Sequence, residues 1–357
     1  MKIIGVDLHT RQQSIAMLDD QTGELVEKEL QHEGDQVRAF YSSLGKPVLV
    51  GLEATGSMHW FLRLLEELAI EFRVGHPAKI RAAEPRKQKN DRRDARLLLT
   101  LLAEKRFPAI WMPSREQHDL QILLRHRDQF VRIRTRVQLS LQALALSHGL
   151  RRGHSLWTRT GQHTLRALPL APHASEQRDT LLALCPQLQG PINELDREVE
   201  QEAQQRPQAR RLMTHPGVGP ITALATEVFL GDPRRFADGK CVASYVGMIP
   251  SERSSGRRQR FGRLSKQGNS LLRFLWSEAA IHAVRRDPEL RRFYSRKLVQ
   301  KGMGKARMAA ARKLGIRLWV MLRDEIDYTE FCRRGYLRRQ GSGAACAGMP
   351  ARDSGPN

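Results

Sequence analysis

Within the first hundred residues the hydrophobic pattern changes period in a set order, and that order narrows the fold more than any other feature of the chain. Residues 2–8 run apolar or alternate, and Ser14-Ile15-Ala16-Met17-Leu18 forms a second β-like run. A third strand is expected over 25–30, after the turn Gln21-Thr22-Gly23-Glu24. Next come a polar helix over 34–44, a buried strand over 47–53 and an amphipathic helix over 59–70. The apolar positions of that helix are Trp60, Phe61, Leu64, Leu65 and Leu68. A short strand at 72–74 and a helix over 91–105 complete the series. Three strands, helix, strand, helix, strand, helix is the order of the ribonuclease-H-like α/β fold, expected here over 1–113.

Past that point the composition shifts. From Ser114 to about Arg211 glycine becomes scarce, and Leu120, Leu123, Leu124, Phe130, Ile133, Val137, Leu141 and Leu144 recur at helical spacing. A Pro/His/Gly-containing break over 151–176 precedes a second helical tract through Ile192, Leu195 and Val199. Residues 114–210 therefore read as a helical coiled-coil arm or as a plain helical spacer. Residues 211–335 read as a third, mainly helical unit, and 336–357 as a disordered tail. The expected fold class is thus α/β plus α.

Asp7 interrupts the apolar strand Ile3, Ile4, Val6 and Leu8, and Glu53 follows Val48-Leu49-Val50-Gly51-Leu52. Asp91 and Asp94 open a helix three residues apart, on one face and about 5–6 Å apart at Cβ. Each has a plain structural reading: a strand-end turn, a polar strand terminus, a helix N-cap, a first-turn acid facing the dipole. Together, at one edge of a sheet, the four carboxylates form a site for a hard divalent cation, Mg²⁺ or Mn²⁺. Lys79, Arg81, Arg86, Lys87, Lys89, Arg92 and Arg93 lie beside them, as a nucleic-acid cleft or a solvated charged loop.

The chain carries a formal charge of +22, mostly from arginine, and such a surface binds polyanions, of which nucleic acid is the commonest. Thr214-His215-Pro216-Gly217-Val218-Gly219-Pro220 has the form of a helix–hairpin–helix turn, with Gly217 and Gly219 letting backbone approach a phosphate. Downstream, Ile249-Pro250-Ser251-Glu252-Arg253-Ser254-Ser255-Gly256-Arg257-Arg258 sets a small nucleophile against glycine among guanidinium groups. The turn Ser265-Lys266-Gln267-Gly268-Asn269 could equally cradle a phosphate and leads into a helix with Leu272, Phe274, Leu275, Trp276, Ala279 and Ala280 as its core. Lone serines in basic loops are usually only hydrogen-bonding residues.

With these motifs in order, the chain resembles the DEDD-type insertion-sequence transposases, the bridge-RNA-guided serine recombinases of insertion-sequence family 110. The N-terminal match runs through Gly5-Val6-Asp7, Leu52-Glu53-Ala54-Thr55-Gly56 and Lys89-Asn90-Asp91-Arg92-Arg93-Asp94-Ala95. The C-terminal match runs through Pro216-Gly217-Val218-Gly219, Val246-Gly247-Met248-Ile249-Pro250, Ser255-Gly256 and Ser265-Lys266-Gln267-Gly268-Asn269. The resemblance implies a RuvC-like domain, a coiled-coil arm and a transposase domain. It implies that Ser255 attacks DNA to form a phosphoserine link, with Asp7, Glu53, Asp91 and Asp94 around Mg²⁺. It further implies a tetramer in which one chain's acidic site meets another's serine, and a structured guide (bridge) RNA that pairs with donor and target DNA. Lys89, Arg92, Arg93, Gly217, Gly219, Arg253, Arg257, Arg258 and Lys266 are the expected nucleic-acid contacts.

Two rivals compete. A metal-only RuvC-like nuclease, such as a junction resolvase, would leave no protein–DNA adduct. A non-catalytic basic nucleic-acid-binding protein would depend on charge but not on the four carboxylates. No apolar run approaches the ~20 residues of a membrane span. The N-terminus lacks a signal-peptide pattern, and Cys185, Cys241, Cys332 and Cys346 show no metal spacing. A bacterial cytoplasmic, nucleoid-associated protein is expected.

Overall fold

A computed structural model describes residues 1–84, 91–151, 153–252 and 260–335, which divide into two compact units, 1–112 and 113 onward. The first is a mixed α/β unit. Its strands are β1 (Lys2–Leu8), β2 (Gln12–Asp19), β3 (Leu25–Gln31), β4 (Val48–Glu53) and β5 (Glu71–Gly75), in the order β3-β2-β1-β4-β5. β1 pairs antiparallel with β2 and parallel with β4, with Val6 opposite Leu52, so Asp7 and Glu53 end neighbouring strands. Helices α1 (Gln36–Ser42) and α2 (His59–Glu67) cover one face. There Ile4, Val6, Val50 and Leu52 pack with Val37, Tyr41, Phe61 and Leu65.

The period of two sends Ile3, Gly5 and Asp7 to the opposite face. A short helix the sequence pattern did not announce, α3 (Pro77–Ala83), precedes α4 (Asp91–Ala103), and both lie in this unit. The residues read as part of a charged loop, Lys79 and Arg81 among them, are helical because Pro77 starts the turn and Ile80 has a buried site to fill. Ala95, Leu99 and Leu102 of α4 pack on Ile3, Ala16 and Leu49. The approach is close: a Cβ on Gly5 would lie 2.2 Å from the Ala95 carbonyl oxygen and 2.4 Å from the Leu99 nitrogen. Absent side chains at Gly5 thus let α4 lie directly on β1. Its first turn arrives at the strand end that carries Asp7.

The second unit is helical apart from one short ribbon. Its long helices α5 (Arg115–Ser147) and α7 (Pro172–Gln205) pack along each other, and α6 (Arg159–Arg166) lies between them in sequence. Ser114 and Gln117 form a capping box that starts α5. α7 runs on through Pro186 and Pro191, two positions where sequence alone would break it. Near the root, Leu120 and Leu124 of α5 and Val199 and Ala203 of α7 join the main core of the unit. Farther out, Val137, Leu141 and Ala145 close a separate cluster with Leu156, Leu165 and Leu182. Ile133, expected in the apolar stripe, is exposed.

α8 (Pro207–Met213), α9 (Pro220–Leu230), α10 (Gly239–Tyr245), the ribbon β6 (Pro250–Glu252) and β7 (Phe261–Leu264), α11 (Ser270–Arg286), α12 (Pro288–Lys301) and α13 (Met303–Arg323) follow. α11 buries Leu272, Leu275, Trp276, Ala279, Ala280 and Ala283, the i, i+3, i+4 stripe. Phe274, expected in that core, is 51% exposed because, two residues on from Leu272, it points to the face of α11 opposite the stripe. Trp276 donates its indole N–H to Thr226 Oγ1 at 2.9 Å, and a Cβ on Gly315 would strike its ring at 2.1 Å. The expected tail, 336–357, lies outside the described residues.

Candidate active site

Two of the four expected carboxylates, Asp7 and Asp91, meet at the C-terminal end of β1. Asp7 Oδ2 lies 3.1 Å from His9 Nε2, and Asp91 Oδ2 lies 3.3 Å from the same nitrogen. Among the described residues, Asp7, His9 and Asp91 form a group whose ligand atoms all lie within 4.8 Å of one another. His9 Nε2 is buried and meets no hydrogen-bond geometry despite its two close carboxylates. A second unsatisfied atom, Thr55 Oγ1, is buried two residues past Glu53. Two carboxylates and an imidazole nitrogen facing one point are the donor set of a divalent cation.

Glu53 and Asp94 are not in that tight group. Both stay close in the fold: Glu53 ends the strand beside Asp7, half-buried, and Asp94 is half-buried one turn along α4 from Asp91. α4 explains the difference between its two acids. Asp91 shares a row with Ala95 and Leu99, which face the sheet, whereas Asp94 shares one with Leu98, which packs with Ile80 and Leu101. Arg92 and Arg93, on the same first turn, are exposed. Lys89 lies outside the described residues.

His9 was not singled out by sequence reasoning, although a signal existed. It stands two residues after Asp7, and period-two alternation carries both to the same side. Its position just past the strand end hid it from a search for strand-borne acids.

The second unit holds the other motifs. At the hairpin, Gly217 has φ +85°, and a Cβ there would lie 2.4 Å from the Ala283 nitrogen of α11. Its need for glycine is therefore met inside the protein by helix packing. Gly219, the N-cap of α9, has nothing within 4 Å of its Cβ position, so this glycine leaves open space. The preceding His215 is buried, packs at a tilt against Tyr328 with 4.5 Å between ring centroids, and is pushed down by burial to a pKa of about 4. Beneath it, Asp287 binds Arg317, accepts from Tyr328 Oη at 2.9 Å and caps α12 through the Leu290 N–H at 2.8 Å. Burial raises the Asp287 pKa, but the Leu290 N–H and Arg317 outweigh it and hold the carboxyl below its ordinary range.

Two turns lock together beneath the ribbon. A Cβ on Gly247 would lie 2.3 Å from the Gln267 carbonyl oxygen, and one on Gly268 would lie 2.1 Å from that of Tyr245. Lys266, left-handed at φ +54°, donates its N–H to the Gly247 carbonyl at 3.2 Å, and Ser265 donates to Ile249 at 2.8 Å. Arg273 adds a 2.7 Å bond to the Val246 carbonyl. These contacts fix the base of β6 and β7, and Lys266 stays exposed on the turn. The segment that the ribbon carries, with Arg253, Ser255, Arg257 and Arg258, lies outside the described residues.

A five-stranded mixed sheet with acids and an imidazole at its edge, followed by a helical part, is consistent with the nuclease-like fold of DEDD transposases. Residues 4–148 match a family model of DEDD-type transposases, and residues 209–295 match one described as "Transposase IS116/IS110/IS902 family". The chain is 30% identical over 303 residues to a "Probable family 20 transposase" of Pseudomonas aeruginosa, covering 82% of this chain and 89% of that one. It is 24% identical to the "Transposase for insertion sequence element IS1111A" of Coxiella burnetii, over 92% of this chain and 91% of that one. It is also 24% identical to the "Transposase for insertion sequence element IS1328" of Yersinia enterocolitica, over 66% and 70% of the two chains. The chain belongs to the IS116/IS110/IS902 family of transposases. No described helix is long and apolar enough to cross a membrane.

Proposed function

We propose that this chain is the transposase of a bacterial insertion sequence, cutting and rejoining DNA through a phosphoserine link at Ser255. In this reading Asp7, Glu53, Asp91 and Asp94, joined by His9, hold Mg²⁺ or Mn²⁺. The observation that carries it is the convergence of Asp7, His9 and Asp91 within 4.8 Å at a sheet edge, in a chain of charge +22. A cluster of acids facing bound phosphates would oppose binding unless a cation offset it. When bound, such a cation polarises a phosphoryl oxygen.

The remaining chemistry belongs to the chain's own residues. Ser255 Oγ forms a bond to phosphorus as one P–O ester bond of the DNA breaks, the serine proton leaving and the departing sugar oxygen gaining one. A DNA hydroxyl later reverses the step on a new strand, so the number of phosphoesters is conserved and no ATP is needed. Arg253, Arg257 and Arg258 supply positive potential to the attacking oxygen and the five-coordinate phosphate. Lys89, Arg92, Arg93, Lys266 and the open backbone at Gly219 hold phosphates. Gly217, packed on α11, shapes the hairpin from within. A structured guide RNA pairing with donor and target DNA, a tetramer that joins one chain's acids to another's serine, and association with the nucleoid complete the reading.

The test is a covalent one. Wild-type protein incubated with labelled donor DNA should yield an adduct that survives denaturing electrophoresis. Ser255→Ala should bind DNA and yield none, while Ser254→Ala should be milder. Cleavage by wild type with no adduct would favour the metal-only nuclease and end the serine reading. DNA binding that is indifferent to Asp7→Asn and Asp91→Asn, with no cleavage under any metal, would favour a non-catalytic binder.

A further inference from the structure

The corner between α12 and α13 is unlike any other surface of the described residues. Val299 is 89% exposed and Met303 70%, the two most exposed large apolar side chains described, and Leu298 beside them is also exposed. From Leu290 through Arg323 the sequence has eleven lysines and arginines and no acid. Several of these cations pair with carboxylates from elsewhere, as Lys313 does with Glu289 and Arg317 with Asp287. Arg296, Lys301 and Lys305, which flank the apolar tip, are exposed and make no ion pair among the described residues. The chain turns at Gly302, φ +75°, where nothing stands within 4 Å of its Cβ position.

We infer that this corner is a wedge for duplex DNA, with Val299 and Met303 entering between base pairs while Arg296, Lys301 and Lys305 hold the flanking phosphates. An apolar side chain that projects into water costs free energy unless a partner covers it. The ring of unpaired cations names a polyanion as that partner. The minor groove of DNA is opened in this way, by aliphatic side chains pushed into a base step while cations grip the backbone. The tip is aliphatic, which separates this partner from single-stranded RNA, whose splayed bases stack on aromatic rings. The aromatic residues of α12, Phe293 and Tyr294, pack against the core instead. Nor does the corner suit a membrane, because an interfacial helix offers a whole apolar face and here only three side chains project. The wedge draws on none of the residues assigned to the chemistry, and it would hold for a binder that performs none.

The experiment uses the full chain and a duplex of about 25 base pairs carrying 2-aminopurine at a pyrimidine–purine step, where unstacking is cheapest. Wild-type protein should raise the 2-aminopurine fluorescence at least about twofold as the base unstacks. Val299→Ser combined with Met303→Ser, both at exposed positions, should abolish that rise while changing affinity less than about threefold. Lys301→Gln combined with Lys305→Gln should weaken binding and lower the slope of log K against log salt by about 2. Retained unstacking in the double serine variant would overturn the inference, as would a wild type that unstacks no step tested. Duplex RNA or phosphatidylglycerol vesicles that compete better than duplex DNA, and lose that advantage in the double serine variant, would reassign the corner to that partner.

Discussion

Gly5→Ala tests whether the closeness of α4 to β1 builds the acidic centre. Elsewhere in a strand this substitution stabilises by roughly 0.5–1 kcal/mol, because alanine has less conformational freedom to lose. Here the new Cβ would sit 2.2 Å from the Ala95 carbonyl oxygen, against about 3.4 Å for ordinary contact, so α4 must retreat by about 1 Å. The atoms it meets are backbone and cannot rotate aside. Overpacking of this kind costs about 1–3 kcal/mol, and the retreat also loosens Ala95, Leu99 and Leu102 on the sheet. The net expectation is a loss of about 2 kcal/mol, opposite in sign to the intrinsic effect. Because Asp91 rides on the same helix, its carboxylate moves away from His9 and Asp7. Metal affinity should fall by about tenfold, the scale seen when the supports of a ligand are disturbed. Urea unfolding and Mn²⁺ titration by electron paramagnetic resonance read the two effects on one sample. A midpoint that is unchanged or raised, with unchanged Mn²⁺ binding, would refute the argument that helix approach positions the site.

His215 makes the protein acid-sensitive in a defined window. Its pKa of about 4 in the folded chain lies below the ordinary 6.5, so the unfolded chain binds the extra proton between those values. Stability present above pH 6.5 should be lost as pH falls toward 4, by up to about 3 kcal/mol, and His215→Phe should flatten that slope in pH-dependent urea melts. Asp287→Ala leaves the buried Arg317 with only the half-exposed Glu289 carboxylate, 3.1 Å away, and should cost about 3 kcal/mol, and adding Arg317→Met should recover much of it. Equal midpoints for the single and double variants would remove the buried pair from the argument. At the hairpin, Gly217→Ala should destabilise while Gly219→Ala should not, since α11 crowds the first position and leaves the second open. The reverse ranking in thermal melts would mean that the hairpin packs differently.

Much of the first unit was legible in the residues, for a physical reason. Strands buried on both faces must be apolar, so the acids Asp7 and Glu53 stood out against Ile3, Ile4, Val6 and Val48 to Leu52. The period-two rule then carried both to one face and the strand order to one edge. What the pattern hid was set by contacts from afar. Gly217 reads as a phosphate turn in sequence, but its demand comes from Ala283, some 66 residues on. Phe274 has the composition of a core residue and the wrong angular position for one. Pro186 and Pro191 are local helix breakers, tolerated where packing of α7 along α5 outweighs the lost hydrogen bonds. His9 belonged to no local element at all, only to the space its neighbours enclose.

The paired helices α5 and α7 have a mechanical consequence. At 1.5 Å per residue, α5 extends about 50 Å, many times its own thickness, and a lone rod of that proportion bends easily. Its root is clamped by Leu120 and Leu124 in the main core, and its outer half is bonded to α7 through Val137, Leu141 and Leu182. Two rods fastened at both ends behave as one thick beam, since flexing one must slide it along the other. A load on the outer cluster is then carried to the root as a rotation, with little lost to bending along the way.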